Sequence, residues 1–90
     1  MKYVIKKTSS FKTSIKKIKD QAILKEIENV IDKLANDEKL DNKYNDHKLK
    51  GEYKGYRECH IKPDLLLVYK KQKEILILTC VDIGSHSELF

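Results

Sequence analysis

The amino-acid sequence predicts an α+β fold, an antiparallel β-sheet with two N-terminal helices packed on one face. Three observations carry that reading. Apolar residues recur at helical spacing between Phe11 and Ala35, and from Glu52 the period becomes two. The few breakers, Pro63 and Gly84 among them, fall where such segments end. Helices first and strands after them give a meander covered on one side.

Residues 2–5 alternate Tyr3 and Ile5 into a short first strand. Thr8, Ser9 and Ser10 are N-cap candidates for a helix whose apolar stripe is Phe11, Ile15 and Ile18. Asp20 can cap a second helix with a broad apolar face of Ile23, Leu24, Ile27, Val30, Ile31 and Leu34, closed by Asn36-Asp37-Glu38. Residues 39–51 are polar and irregular, anchored by Leu40, Tyr44 and Leu49. A connection that long in so small a chain is more often functional than idle. Beyond Glu52, Tyr56, Glu58 and His60 share one face of a strand, and Arg57, Cys59 and Ile61 the other. Lys62-Pro63 turns the chain into an apolar strand over 64–70. Lys71-Gln72-Lys73 turns it again into a nearly continuous apolar strand over 74–83, expected at the centre of the sheet. Gly84 breaks it, and 85–90 form a short tail.

Ninety residues support a single domain, 1–90. With 37% charged and 40% hydrophobic residues, the composition excludes a disordered tail. The longest apolar runs, 65–69 and 75–78, fall far short of the roughly 20 residues of a membrane-spanning helix. Met1-Lys2-Tyr3-Val4-Ile5-Lys6-Lys7 carries no export signal, so the expected location is the cytoplasm, with no membrane partner. Net charge is +5. Lys2, Lys6, Lys7, Lys12, Lys16, Lys17 and Lys19 precede the first acid, Asp20. Such a block is either a solvated face or a surface for phosphate backbones or acidic protein. Arg57 is the only arginine, so a forked phosphate contact can come from no other side chain. Cys59 and Cys80 lack Cys-x-x-Cys spacing and read as small buried hydrophobes.

The predicted hairpins bring chemistry together. His60 ends one strand, Asp64 begins the next, and His86 lies just past the end of the last strand, which returns to Asp64. The loop bearing His47 leads into the same sheet, so all three histidines are expected at one edge. Three imidazoles and a carboxylate suit acid–base work near neutral pH. In metal-free RNA cleavage one group takes the 2′-OH proton and another protonates the leaving 5′-oxygen. Cations, here Arg57, Lys48, Lys50 and Lys62, offset the charge on the phosphoryl oxygens. The same four side chains could instead ligate zinc, but none of the tight zinc-motif spacings is present, and no metal or cofactor is expected. Three ordinary surface histidines are the plain alternative.

Four blocks occur in order: Tyr44-Asn45-Asp46-His47-Lys48-Leu49-Lys50-Gly51, Gly55-Tyr56-Arg57-Glu58-Cys59-His60, Lys62-Pro63-Asp64 with Leu66-Leu67-Val68-Tyr69, and Gly84-Ser85-His86-Ser87-Glu88-Leu89-Phe90. Together they resemble the YafQ branch of the RelE/ParE toxin superfamily, the toxin halves of type II toxin–antitoxin pairs. The resemblance implies a RelE/ParE-like fold and an endoribonuclease that cuts mRNA on the ribosome by 2′-OH attack without metal. It carries over His47, His60, Asp64 and His86 as the catalytic set, with His86 as general acid and the others on the base side. Arg57 carries over as a phosphate contact and Phe90 as a base-stacking residue. The implied partners are the ribosome with its mRNA and a small acidic antitoxin encoded by the adjacent gene. Two departures stand out: Asp82 where relatives usually carry an arginine, and Leu65 where some carry a tryptophan. A carboxylate beside the scissile phosphate would repel it. That departure favours the alternative of a non-catalytic, ParE-like or attenuated member acting by protein binding.

Overall fold

In the computed structural model, which describes residues 2–90, the elements run β1 (Val4–Lys7), α1 (Ser9–Ile15), α2 (Gln21–Ala35), β2 (His47–Lys48), β3 (Arg57–Lys62), β4 (Leu65–Gln72), β5 (Ile77–Gly84) and α3 (His86–Leu89). The five strands form one sheet in the order β1-β5-β4-β3-β2. The α+β class stands, with one difference in strand direction. The β2–β3, β3–β4 and β4–β5 pairs are antiparallel, but β1 lies parallel to β5, so the sheet is mixed. Period-two patterning is the same in both kinds of pair, so it cannot fix direction.

Both helices start where capping chemistry places them. The Thr8 hydroxyl accepts from the Phe11 amide at 3.0 Å. Asp20 Oδ1 accepts from the Ala22 and Ile23 amides at 2.9 and 3.2 Å. One face of α2 then buries Ile27, Val30, Ile31, Leu34 and Ala35. Against it the sheet presents Cys59, Ile61, Leu67, Tyr69, Leu78, Cys80 and Ile83, with Tyr3 and Phe11 closing the cluster. Both cysteines are free and fully buried. Burial pushes the Cys59 thiol up to about 12 and the Cys80 thiol to about 11, as expected of core residues rather than reactive ones.

Three features differ from the sequence pattern. The central strand is β4, with β5 beside it. The β4–β5 turn falls at 73–76, not 71–73, because Ile75 and Leu76 are exposed at the hairpin tip, with Leu76 at φ 55°. Two apolar residues in a turn read as strand. The tail is helical: the Ser85 amide donates to Glu88 Oε1 at 2.8 Å and the Glu88 amide to Ser85 Oγ at 3.3 Å, a capping box. Gly84 permits it, since a Cβ there would lie 3.1 Å from Glu88 Oε1.

Candidate active site

Residues 39–51 build the first half of the site. A 3-10 turn at Asn42–Tyr44, capped by Asp41, passes through Asn45 in the left-handed region at φ 46° and enters β2. Strand β2 is only two residues long, with His47 opposite Glu58 and Lys48 opposite Arg57. Directly opposed residues share a sheet face, so His47 and Glu58 stand together on the face that also carries His60. His47 Nε2 lies 2.9 Å from Glu58 Oε1, and His60 Nε2 lies 3.8 Å from the same oxygen. The two rings are 6.1 Å apart.

Glu58 is the unusual member. It is 4% exposed, and its second oxygen, Oε2, has no hydrogen-bond partner. A buried carboxylate costs several kcal/mol unless paired, so this one is kept for what Oε1 does. His47 Nδ1 sits 2.7 Å from the Asn45 carbonyl oxygen, an acceptor only. Both ring nitrogens of His47 thus face acceptors, Glu58 Oε1 at Nε2 and the Asn45 carbonyl at Nδ1. His60 Nε2, at 3.8 Å, is beyond hydrogen-bond reach of Oε1. One donor atom from each of His47, Glu58 and His60 lies within 4.8 Å of the others. Two imidazoles and a carboxylate this close also fit a divalent transition ion. The sequence had weighed zinc on His47, His60, Asp64 and His86; the geometric set holds Glu58 and omits the last two.

The second half is the tail. His60 pairs with Leu66, and Leu66 with Gly84, which puts His60 and the start of the tail two strand spacings apart, about 10 Å. His86 opens α3, exposed, and its ring packs on Phe90 at 5.7 Å rather than on the other histidines. Phe90 meets Tyr53 edge-on at 4.9 Å. Asp64 Oδ1 accepts from the His86 amide at 3.4 Å. The convergence at one sheet end therefore holds for the backbone, while the side chains gather as two groups, His47–Glu58–His60 and Asp64–His86–Phe90–Tyr53.

The expected cations are placed differently. Arg57 alternates to the opposite face, where Nη2 donates to Asp46 Oδ2 and Nε to Tyr69 Oη, both at 3.2 Å. Lys48 and Lys50 line a cleft of about 1280 Å³ on Arg57's side. Lys62 is paired with Glu26 Oε1 at 2.9 Å and, with Lys43, borders a groove of about 300 Å³ that includes His60. Asp82 is engaged: its Oδ1 accepts from Ser14 Oγ at 2.7 Å and from the Ile83 amide at 2.8 Å, tying α1 to β5. Sequence reasoning passed over Glu58, Asp46 and Lys43. For Glu58 a signal existed, an acid two residues before His60 on the same strand face.

The family profile for "Bacterial toxin of type II toxin-antitoxin system, YafQ" matches residues 3–90. The chain belongs to the YafQ toxin family. A crystal structure described as a metal-bound toxin from Helicobacter pylori is 43% identical to this YafQ-family chain, covers 98% of it and 99% of its own length, and superposes with a TM-score of 0.86. YafQ in the Escherichia coli DinJ-YafQ toxin-antitoxin complex is 30% identical, with 100% and 99% covered and a TM-score of 0.80. The mRNA interferase toxin YafQ of Escherichia coli K12 is 38% identical over 47 residues, 52% of this chain. That alignment spans about half the length of this curated relative, 49%. No helix among the described residues is long and apolar enough to cross a membrane.

Proposed function

We propose that this YafQ-family chain is a toxin that cleaves mRNA, acting as an endoribonuclease through attack of a 2′-OH on the adjacent phosphate. The supporting observation is the placement of two imidazoles, His47 and His60, over one buried carboxylate, Glu58. In this reading His60 takes the 2′-OH proton, and His47, held in place by Glu58, faces the charge that grows on the phosphoryl oxygens. His86, exposed on α3, protonates the departing 5′-oxygen. Phe90 and Tyr53 offer faces for a base, and Lys43 and Lys62 border the groove along which the phosphate backbone lies. Asp64 holds the amide of His86 instead of taking a proton.

The carboxylate at position 82 is turned toward α1, where its Oδ1 accepts from Ser14 and from the Ile83 amide. The proposed substrate is mRNA on the ribosome, in the cytoplasm. The proposed partner is a small acidic antitoxin from the adjacent gene, as DinJ accompanies YafQ in the Escherichia coli complex. Purified His60→Ala and His86→Ala test the assignment. Each should cut about 10²–10⁴-fold more slowly while keeping the parent's circular dichroism spectrum. Full activity in both folded variants would refute it.

A further inference from the structure

We propose that Arg57, together with Tyr69, is a positioning residue for His47: gripping Asp46 on one face of the sheet, they hold the next residue in place on the other. The inference rests on the nuclease reading above and assigns the only arginine a role other than phosphate binding. Three hydrogen bonds close the grip. Arg57 Nη2 and Nε reach Asp46 and Tyr69 at 3.2 Å each, and the Tyr69 hydroxyl donates to the other oxygen of Asp46. Tyr69 is 1% exposed and sits in the core of the central strand, so the anchor is fixed. Burial disfavours the Arg57 charge, but the bonds from Asp46 and Tyr69 outweigh it and the proton is held more tightly than usual. Burial first, and then Asp46, pushes the Tyr69 phenol up.

The His47 segment needs such a grip. Strand β2 has only two residues and lies at the edge of the sheet, so its ladder contributes little order. Asn45 enters it in the left-handed region, a turn conformation that asparagine tolerates and that no ladder bond fixes. Along an extended chain Asp46 and His47 point to opposite faces. Pinning the carboxylate beneath the sheet therefore sets where the imidazole stands above it, against Glu58 Oε1.

The two roles for Arg57 predict opposite signs. If Arg57 positions His47, Asp46→Ala releases the segment and lowers kcat about 10- to 100-fold with little change in KM, since a shift of about 1 Å at a reacting group costs that much. Arg57→Ala should do the same, and the double variant should be no worse than either single. If Arg57 instead binds phosphate, Asp46→Ala frees the guanidinium, so KM falls and cleavage holds or rises. Arg57→Ala then raises KM and flattens the salt dependence. Those results would overturn the proposal. Tyr69→Phe, which keeps the packing, guards against misfolding: its expected loss is a few-fold, again in kcat. A readout independent of activity is hydrogen exchange at the Leu49 amide, which donates to the Tyr56 carbonyl at 3.0 Å. It should quicken at least tenfold in folded Asp46→Ala, and unchanged exchange there also overturns the proposal. If the parent chain proves inactive on RNA but exchange quickens, the nuclease reading fails and the grip stands.

Discussion

Replacing Glu58 with glutamine removes a charge and almost nothing else, so it isolates what the buried carboxylate does. In the folded chain Oε1 lies 2.9 Å from His47 Nε2 and 3.8 Å from His60 Nε2. A hydrogen bond to a charged group is worth about 1.5–3 kcal/mol net. If that energy holds His47 facing the transition state, its loss slows cleavage about 10- to 100-fold, at 1.36 kcal/mol per decade. Stability should fall by a similar free energy, the remainder of two opposing effects. The pair is lost, which taken alone costs about 3–5 kcal/mol in a buried setting. Against that, a carboxylate with an unpartnered oxygen becomes a neutral amide, relieving a desolvation penalty of about 1–3 kcal/mol. The net destabilisation should be near 2 kcal/mol, a melting shift of roughly 8–16 °C at 4–8 °C per kcal/mol for a chain of this size. The assay is single-turnover cleavage of one end-labelled RNA, with a melting curve run on the same preparation. A folded Glu58→Gln that cleaves at the parental rate would refute the argument that the charge is used.

Other outcomes follow from the same geometry. Micromolar zinc should inhibit cleavage reversibly, with chelator restoring the rate, because an ion on His47, Glu58 and His60 takes the lone pair that His60 needs; zinc that leaves the rate unchanged would contradict the placement. The thiols, raised to about 12 and about 11, should resist alkylation at pH 8 until denaturant is added. Their folded values lie above the unfolded one of about 8.5, so they lower stability only as pH rises past that value, where the unfolded chain loses protons first. A pH scan of urea midpoints from 7 to 10 measures this. Reversing charge at Lys16 and Lys17 together should slow antitoxin association most at low salt and change dissociation less, a split that stopped-flow binding resolves.

The elements legible in the sequence were those with a local cause. The Thr8 and Asp20 caps and the helical stripe of α2 set both helices, and alternation around Arg57 to Ile61 gave β3 with its faces correctly assigned. The direction of β1 was not legible, since pairing partners leave no periodic mark. The tail helix was hidden because four residues are too short for a stripe, although Ser85 and Glu88 carried its capping box in plain view. At the site, histidines were conspicuous as the chain's only neutral-range acids and bases, whereas Glu58 was one acid among many until burial set it apart. Arg57 shows the converse. Its rarity suggested phosphate, and only the positions of Asp46 and Tyr69 gave the guanidinium its actual partners. Asp82 became intelligible in the same way, through Ser14.

The claim at the centre of this account is that a 2′-OH of the RNA is the nucleophile and that imidazoles move the protons. Cleavage of a short ribosome-bound mRNA carrying one 2′-deoxynucleotide on the 5′ side of the mapped cleavage bond tests it directly. The account predicts no cutting at that bond, undiminished cutting of the all-ribose control, and control products ending in a 2′,3′-cyclic phosphate or 3′-phosphate and a 5′-hydroxyl. Cutting at the deoxy position, or products with a 5′-phosphate, would mean that water attacks instead, and would contradict the roles given to His60 and His86.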